Sequence, residues 1–173
     1  MKELETERLR LRKIRRDDAQ RIFDCWANDP EVTKYLTWNP HESVAVTDKV
    51  IDIWLSEYEQ PDCYRYGIEL KETGELIGMI DVVRITDGKP ELGYCSGRSY
   101  WGHGFMTEAL RALCAELFDD GYATLLIRAV RENVGSNRVI QKAGFTFTGT
   151  ETGPMWRGKK EIVTVNNYRL DRE

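Results

Sequence analysis

Charged and apolar residues alternate along the first part of the chain. Residues 8–14 read Arg-Leu-Arg-Leu-Arg-Lys-Ile, and this period of two predicts a half-buried strand. Asp17 is the predicted cap of a following helix, whose apolar residues lie on one stripe until the Asn-Asp-Pro sequence at 28–30 ends it. A second helix is predicted to begin near Ser43.

Three strand-like runs occupy the middle of the chain, at residues 64–70, 76–85 and 91–96. The turns between them contain Gly74 and Gly88, which reach a left-handed backbone easily. Short runs joined by such turns predict an antiparallel meander.

The period changes after residue 97, because apolar residues between Gly104 and Gly121 recur at helical spacing. The predicted elements after this helix are a central strand at 125–130, a helix at 134–143 and closing strands at 145–148 and 161–170. This order predicts an α/β fold with a mixed, mostly antiparallel twisted sheet of about seven strands and helices on both faces. A chain of 173 residues fits one domain, so residues 1–173 are interpreted as a single domain.

Composition and charge narrow the function classes. Lys and Arg number 25 against 29 Asp and Glu, and a net charge of −4 argues against a nucleic-acid partner. The chain has no apolar run of membrane-spanning length and no signal-peptide pattern at its start, so we expect a cytoplasmic protein without a membrane partner. The four cysteines form no Cys-x-x-Cys pair, and we expect free thiols and no metal site.

A strand leads into a Gly-x-Gly turn at residues 102–104, and the turn opens into the long helix. The first amides of a helix have no intrahelical acceptor, and the helix dipole adds partial positive charge there. The pattern therefore predicts a site for a phosphate or diphosphate, although the spacing matches neither common nucleotide motif. A glycine turn needed for geometry alone, or a site for another nucleotide, fits the same pattern.

A second stretch runs from Asn133 through Ser136 to Ala143-Gly144-Phe145. Together with residues 100–109 (Tyr-Trp-Gly-His-Gly-Phe-Met-Thr-Glu-Ala), it resembles the GCN5-related N-acetyltransferase (GNAT) superfamily. The opening residues 6–12 and the Leu-Ile-Gly at 76–78 are similar to its RimJ/RimL-type branch of ribosomal-protein N-acetyltransferases. The resemblance covers essentially the whole chain. It implies a GNAT fold and acetyl-CoA as co-substrate.

The resemblance also implies where that co-substrate binds. Its diphosphate would lie on the turn and first helical amides, with the His103 side chain solvated nearby, and its pantetheine arm would run beside residues 91–96. Ser99 stands where the superfamily pattern often has Gln or Arg. The implied cofactor-binding residues are Tyr94, Cys95, Gly102, His103, Gly104, Phe105, Met106, Asn133 and Asn137.

Acyl transfer to an amine needs a base, because the nucleophile must be neutral. Glu91 is the first candidate, since it precedes the strand segment beside the expected thioester, although a solvent-facing strand glutamate gives the same pattern. Asp81 or Glu161 acting through water are the alternatives. The resemblance implies the Cys95 amide as oxyanion donor, and a thiol intermediate at Cys95 is not expected.

The leaving thiolate needs an acid. Ile140 stands where many superfamily members have a tyrosine. RimL-like members have a serine three residues after the asparagine, so the resemblance implies Ser136 as the donor, with helix capping as its alternative role.

The aromatic loop at residues 35–41 is predicted to line the acceptor end through Tyr35, Trp38 and Asn39, with local packing as the alternative. The expected function is acetyl transfer to a primary amine, which the RimJ/RimL resemblance suggests is a protein N-terminal α-amine. A small amine as acceptor and a non-catalytic acyl-CoA sensor both stay open. Dimers are common in the superfamily, so a homodimer is also open.

Overall fold

One mixed sheet of eight strands organises the protein. The computed structural model describes residues 1–154 and 161–172. The strand order is β1-β2-β3-β4-β5-β6-β8-β7, and every pair is antiparallel except β5–β6. The strands are β1 (Leu4–Glu5), β2 (Leu9–Arg12), β3 (Arg65–Leu70), β4 (Leu76–Thr86), β5 (Lys89–Ser96), β6 (Thr124–Val130), β7 (Thr146–Pro154) and β8 (Ile162–Asp171).

The helices cover the sheet on two faces, as predicted. They are α1 (Ala19–Ile22), α2 (Pro30–Thr33), α3 (Val44–Glu57), α4 (Phe105–Asp119) and α5 (Val134–Lys142). The larger core lies under α4 and α5, where Leu110, Leu113 and Ile140 are fully buried. The smaller core lies on the opposite face under α1 and α3, around Trp26 and Ile51. Among the described helices, none combines the length and apolar character needed to cross a bilayer.

The mixed α/β architecture confirms the sequence prediction, and the differences are local. The additional strand is the two-residue β1, which pairs with β2. The predicted first helix is divided into a 3₁₀ turn at Arg16–Asp18, the α-helical turn α1 and a π-helical turn at Phe23–Ala27. Asp17 does not cap it. The Arg15 amide instead donates to the Asp18 carboxylate at 2.7 Å.

Helix α2 was not predicted, although its sequence signal is present. The Asp29 side chain accepts a hydrogen bond from the Glu31 amide at 2.9 Å, and Pro30 occupies the first turn. Asp followed by Pro favours a helix start. The sequence analysis took the same residues only as the end of the preceding helix.

Strands β5 and β6 stay together for only two residue pairs. Glu91 pairs with Leu126, and Leu92 pairs with Ile127. Beyond these pairs β5 continues along β4, while β6 continues along β8. The sheet therefore divides into two parts, and a cleft opens between residues 93–96 and residues 128–130.

A buried ion network fixes β2 to the start of α1. The Arg12 guanidinium donates to both carboxylate oxygens of Asp18, at 2.8 and 2.9 Å, and to Glu69 on β3 at 2.6 Å. The Arg12 side chain is only 5% exposed. Since burial removes water from all three groups, each charge depends on the others for compensation.

Replacing Arg12 by Met should therefore lower the free energy of unfolding by about 3–5 kcal/mol, because the buried Asp18 would lose its guanidinium partner and Glu69 would keep only the more exposed Arg10. Urea unfolding measures the change. Arg16→Gln is the control, since Arg16 pairs with Asp52 at the surface, where the two side chains are 67% and 51% exposed. We expect that control to stay within about 0.5 kcal/mol of the original protein. Equal losses in both variants would contradict the role of the network.

Candidate active site

The glycine turn has the backbone that the sequence analysis expected. Gly102 and Gly104 both have positive φ, at 80° and 82°. A Cβ at Gly102 would meet no atom within 4 Å, so this side of the turn is open. The first hydrogen bond of α4 runs from the Glu108 amide to the Gly104 carbonyl at 3.1 Å. The three preceding amides, at residues 105–107, consequently have no intrahelical acceptor.

The pairing of β5 with β4 decides which amides face the cleft. The Gly97 amide donates to the Ile77 carbonyl at 3.0 Å, and Cys95 pairs with Met79 in the same register. Hydrogen-bonded pairs recur every second residue in an antiparallel ladder, so the Cys95 amide points toward β4. The amide and carbonyl of Tyr94 point the other way, into the cleft. This corrects the expectation that the Cys95 amide is the oxyanion donor.

The Cys95 side chain does not reach the cleft either. It is 8% exposed and packs in the smaller core, on the face of α1 and α3. Burial raises the pKa of the Cys95 thiol, and the nearby Asp81 carboxylate raises it further. Such a thiol is not an activated nucleophile, which agrees with the expectation that no acetyl-cysteine forms.

Tyr94 connects the cleft to the start of α5. Its hydroxyl oxygen lies 2.8 Å from Ser136 Oγ, and the hydroxyl donates to the Ser136 carbonyl at 3.1 Å. Burial raises the pKa of the Tyr94 phenol, so the phenol stays protonated near neutral pH. The two hydroxyls form a short proton-carrying chain at the side of the cleft. No local pattern predicts the contact of the Tyr94 hydroxyl with Ser136, because 42 residues separate the two.

Two asparagines at the start of α5 have different roles. The Asn133 side chain caps the helix, since its Oδ1 accepts from the Ser136 amide at 3.1 Å. Asn133 is therefore the N-cap of α5, and the Ser136 hydroxyl points toward Tyr94 instead of capping the helix.

Asn137 is a structural residue, which corrects its prediction as a cofactor contact. Its Nδ2 donates to the carbonyls of Val130 and Asn133, at 2.9 and 2.7 Å. Its Oδ1 accepts from Asn166 Nδ2 at 2.8 Å and from the Tyr168 hydroxyl at 2.6 Å. The Asn137 side-chain amide therefore makes its hydrogen bonds within the protein, and these bonds join α5 to β6 and β8.

Glu91 lies between two guanidinium groups. Arg84 donates to its Oε2 at 2.7 Å, and Arg128 donates to its Oε1 at 2.9 Å. Both carboxylate oxygens are therefore engaged in charged hydrogen bonds across β4, β5 and β6. This ion-paired group is neither the solvent-facing glutamate nor the free base that the sequence analysis weighed.

Asp81 lies on the same face of the sheet and is paired differently. It stands opposite Gly93 on β5, its side chain is 13% exposed, and Arg65 Nε lies 3.3 Å from its Oδ2. Burial raises the pKa of Asp81 to about 6, and Glu57 contributes to the rise while Arg65 opposes it. The Asp81 carboxylate lies beside Gly93, where a Cβ would be 3.5 Å from its Oδ1, and the Val83 side chain covers the same position at 2.8 Å.

A groove of about 660 Å³ lies at the end of β6 and the start of β8. Tyr35 and Asn39 line it, as predicted for an acceptor site, and so do Glu132 and Glu161. Trp38 does not line it. That ring packs on the smaller core and lies 5.2 Å from the ring of His41, so local packing is its role.

Comparison with known proteins decides the family. The family profile "Acetyltransferase (GNAT) domain" matches residues 8–146, which is most of the chain. The chain belongs to the GNAT acetyltransferase family. It is an N-acetyltransferase, and the predicted GNAT fold is confirmed.

Bacterial relatives and solved structures agree with this GNAT assignment. The chain is 33% identical over 156 residues to "Uncharacterized N-acetyltransferase p20" of Bacillus licheniformis, covering 86% of this chain and 85% of that protein. It is 34% identical over 149 residues to "Uncharacterized N-acetyltransferase YoaA" of Bacillus subtilis (strain 168), covering 84% of each. A RimL ribosomal L7/L12 alpha-N-protein acetyltransferase, solved with coenzyme A, superposes with a TM-score of 0.85 at 20% identity and 98% coverage of both chains.

The GNAT fold thus brings together most of the predicted site residues. The glycine turn, the cleft edge of β5 and the start of α5 meet at one end of β5, where Tyr94 and Ser136 are in contact. The His103 side chain is exposed and stacks on Phe105, with 5.6 Å between the ring centroids. No cluster suited to a metal ion occurs among residues 1–154 and 161–172.

The structural role of Asn137 can be tested by stability. Asn137→Ala would remove a hydrogen-bond partner from four polar groups, those of Asn133, Asn166 and the buried residues Val130 and Tyr168, and each buried group left without a partner costs on the order of 1–3 kcal/mol. We expect a loss of about 3 kcal/mol or more in the free energy of unfolding, measured with urea. Gln141→Ala on the exposed side of the same helix is the control and should change little. A stable Asn137→Ala protein would restore this residue as a candidate ligand contact.

Proposed function

We propose that this enzyme transfers the acetyl group of acetyl-CoA to a protein N-terminal α-amine. The observation that carries the proposal is the division of the sheet at Leu92 beside the open glycine turn. A strand edge with an outward amide and carbonyl at Tyr94 can pair with the amide-containing pantetheine arm. The coenzyme A complex of the RimL neighbour supports the same assignment.

The residues of the turn fit a diphosphate. Gly102 leaves space for oxygen atoms to approach the backbone, and the free amides of Phe105 and Met106 supply donors at the positive end of α4. These contacts use main-chain atoms, so the replacement of the usual residue by Ser99 does not remove them. Acetyl-CoA supplies an activated acyl group when it is bound there.

Ser136 and Tyr94 then act on the leaving group. As the bond between the acyl carbon and sulfur breaks, its electron pair passes to the sulfur and the Ser136 hydroxyl donates its proton there. The Tyr94 phenol, 2.8 Å away, passes a proton to Ser136 and takes one back from solvent when the products leave, so that both hydroxyls are restored. The raised pKa of Tyr94 keeps this donor protonated. The Tyr94 amide, which faces the cleft, is the proposed donor to the oxyanion in place of that of Cys95.

Asp81 is the proposed base, in preference to Glu91. Both oxygens of Glu91 hold guanidinium hydrogen bonds, whereas Asp81 has one such partner, Arg65, on one oxygen. With a pKa of about 6, the Asp81 carboxylate is ionised at pH 7 and able to take a proton. The attacking amine gives its proton to Asp81 through a water, as the new nitrogen–carbon bond forms.

The acceptor groove favours a chain with a free amine over an enclosed small molecule. It is an open groove of about 660 Å³, so an acceptor can extend out of it. Glu132 and Glu161 outnumber Lys34 among the charged residues that line the groove, so its charge is negative on balance and attracts an ammonium group before it is deprotonated. The RimL neighbour is a ribosomal L7/L12 alpha-N-protein acetyltransferase, which supports the same class of acceptor.

Acetyl-CoA turnover tests the function directly. Thiol release should appear with N-terminal peptides and be slower with polyamines, amino acids or aminoglycosides. Preference for a small amine would overturn the acceptor class, and coenzyme A binding without turnover on any amine would favour a sensor.

Ser136→Ala should lower kcat on the order of 10²-fold and leave coenzyme A affinity unchanged, because the hydroxyl acts in the chemical step. Ser56→Ala, on the exposed side of α3, is the control.

The pH profile distinguishes the two carboxylates. An α-amine has a pKa of about 7.7–8.0, so log(kcat/KM) should rise with a slope of about one below pH 7. Below pH 6 the slope should steepen to about two, because Asp81 becomes protonated as well. Asp81→Asn should lose the steeper limb and Glu91→Gln should keep it, with circular dichroism confirming that both are folded. A steeper limb that survives in Asp81→Asn would remove Asp81 from the mechanism.

A further inference from the structure

Arg8 makes five interactions at the start of α4, although it lies outside the cleft. Its amide donates to Glu108 Oε1 at 2.9 Å, and its Nε donates to Glu108 Oε2 at 2.7 Å. Its Nη1 donates to the His103 carbonyl at 3.0 Å, and its guanidinium carbon lies 4.6 Å from the centre of the Phe105 ring. Nearly a hundred residues separate Arg8 from these partners, so the contact is tertiary.

The Glu108 carboxylate places a negative charge beside the proposed diphosphate site. It belongs to the first turn of α4, where a carboxylate is favourable for the helix dipole alone. The same negative charge repels an anion that binds to the amides of that turn. The Arg8 guanidinium contacts this carboxylate through Nε and Nη2, both at 2.7 Å, and compensates its charge.

The contact with His103 has a second consequence, which concerns the shape of the turn. A carbonyl between the two glycines would be another source of repulsion if it faced the ligand. Arg8 holds the His103 carbonyl on its own side, and its Nη2 lies 3.5 Å from the Cβ position of Gly104. The turn is thereby held on the side of β2, which leaves the Gly102 side open.

We propose that Arg8 is a positioning residue for the diphosphate of coenzyme A: it neutralises Glu108 and holds the 102–104 turn with its carbonyl facing away from the ligand. This inference rests on the proposed function, because it assumes that the turn binds the coenzyme. Arg8 lies far along the chain from the Tyr94–Ser136 pair and contacts neither residue. Its role therefore belongs to coenzyme binding and not to the chemical step.

Calorimetric titration with coenzyme A tests the proposal, together with steady-state kinetics. Arg8→Gln should weaken coenzyme A binding about tenfold and raise the KM for acetyl-CoA similarly, while kcat at saturation stays within about twofold. Arg8→Lys keeps the charge without the forked geometry and should lie between. Arg10→Gln is the matched control, since the Arg10 side chain is 42% exposed and that of Arg8 is 44% exposed.

The double variant separates charge compensation from simple structural support. Glu108→Gln keeps the shape of the side chain and removes its charge, so Arg8→Gln/Glu108→Gln should bind coenzyme A better than Arg8→Gln alone. A thermal melt of each variant shows whether the fold is retained. Wild-type affinity in Arg8→Gln would overturn the inference, and so would a double variant that binds no better than the single one.

The coenzyme A titration distinguishes an error in the role of Arg8 from an error in the proposed function. If the original protein binds no coenzyme A in the titration, the proposed function itself is wrong. If the original protein and Arg8→Gln bind coenzyme A equally well, the proposed function stands and only the role of Arg8 is wrong.

Discussion

The separation of β5 from β6 after Leu92 is the constraint on which the site depends. Within a sheet, a strand in the interior has partners on both sides, and buried backbone groups without partners are costly. Here the edge of β5 at Tyr94 has β4 on one side and a cleft on the other. A ligand that offers its own amides can complete this ladder, so the same division creates the cleft and selects the kind of molecule that fills it.

The two faces of the sheet divide the chemistry between them. On the face of α4 and α5 lie the glycine turn and the Tyr94–Ser136 hydroxyl pair, to which the proposed mechanism gives the coenzyme and the leaving thiol. On the opposite face lie Asp81 and the groove with Tyr35, to which it gives the amine. The cleft connects these two faces of the sheet. In the proposed reaction, acetyl-CoA and the amine therefore approach from different faces and meet in the cleft.

Ion pairs hold the strands and turns around the cleft together at three places. The buried Arg12 holds β2 to the start of α1, and Glu91 holds β4, β5 and β6 together through two arginines at the narrow end of the cleft. At the first turn of α4, Arg8 compensates Glu108 beside the amides that would hold an anion. In each network the neighbouring charges compensate one another, so the strands and turns around the cleft are held in place by pairs of opposite charge.

The sequence by itself determined the order of the elements and the position of the glycine turn. Hydrophobic period and glycine placement are local properties, and they predicted β3, β4, β5, α3 and α4 to within a few residues. The motifs at 100–109 and 133–145 indicated the family. The resemblance also indicated Ser136, and the aromatic loop indicated Tyr35 and Asn39; in the structure Ser136 contacts Tyr94, and Tyr35 and Asn39 line the groove.

Only the tertiary structure showed the partners of the candidate groups. The sequence placed Glu91 before Asp81 as a base and Asn137 beside the coenzyme, but residues from distant strands give two arginine partners to Glu91, one to Asp81 and a complete set of hydrogen bonds to Asn137. The direction of the Cys95 amide depends on the register with β4. Hydrogen-bond saturation and register are pairwise properties of residues far apart in sequence, so no local pattern encodes them.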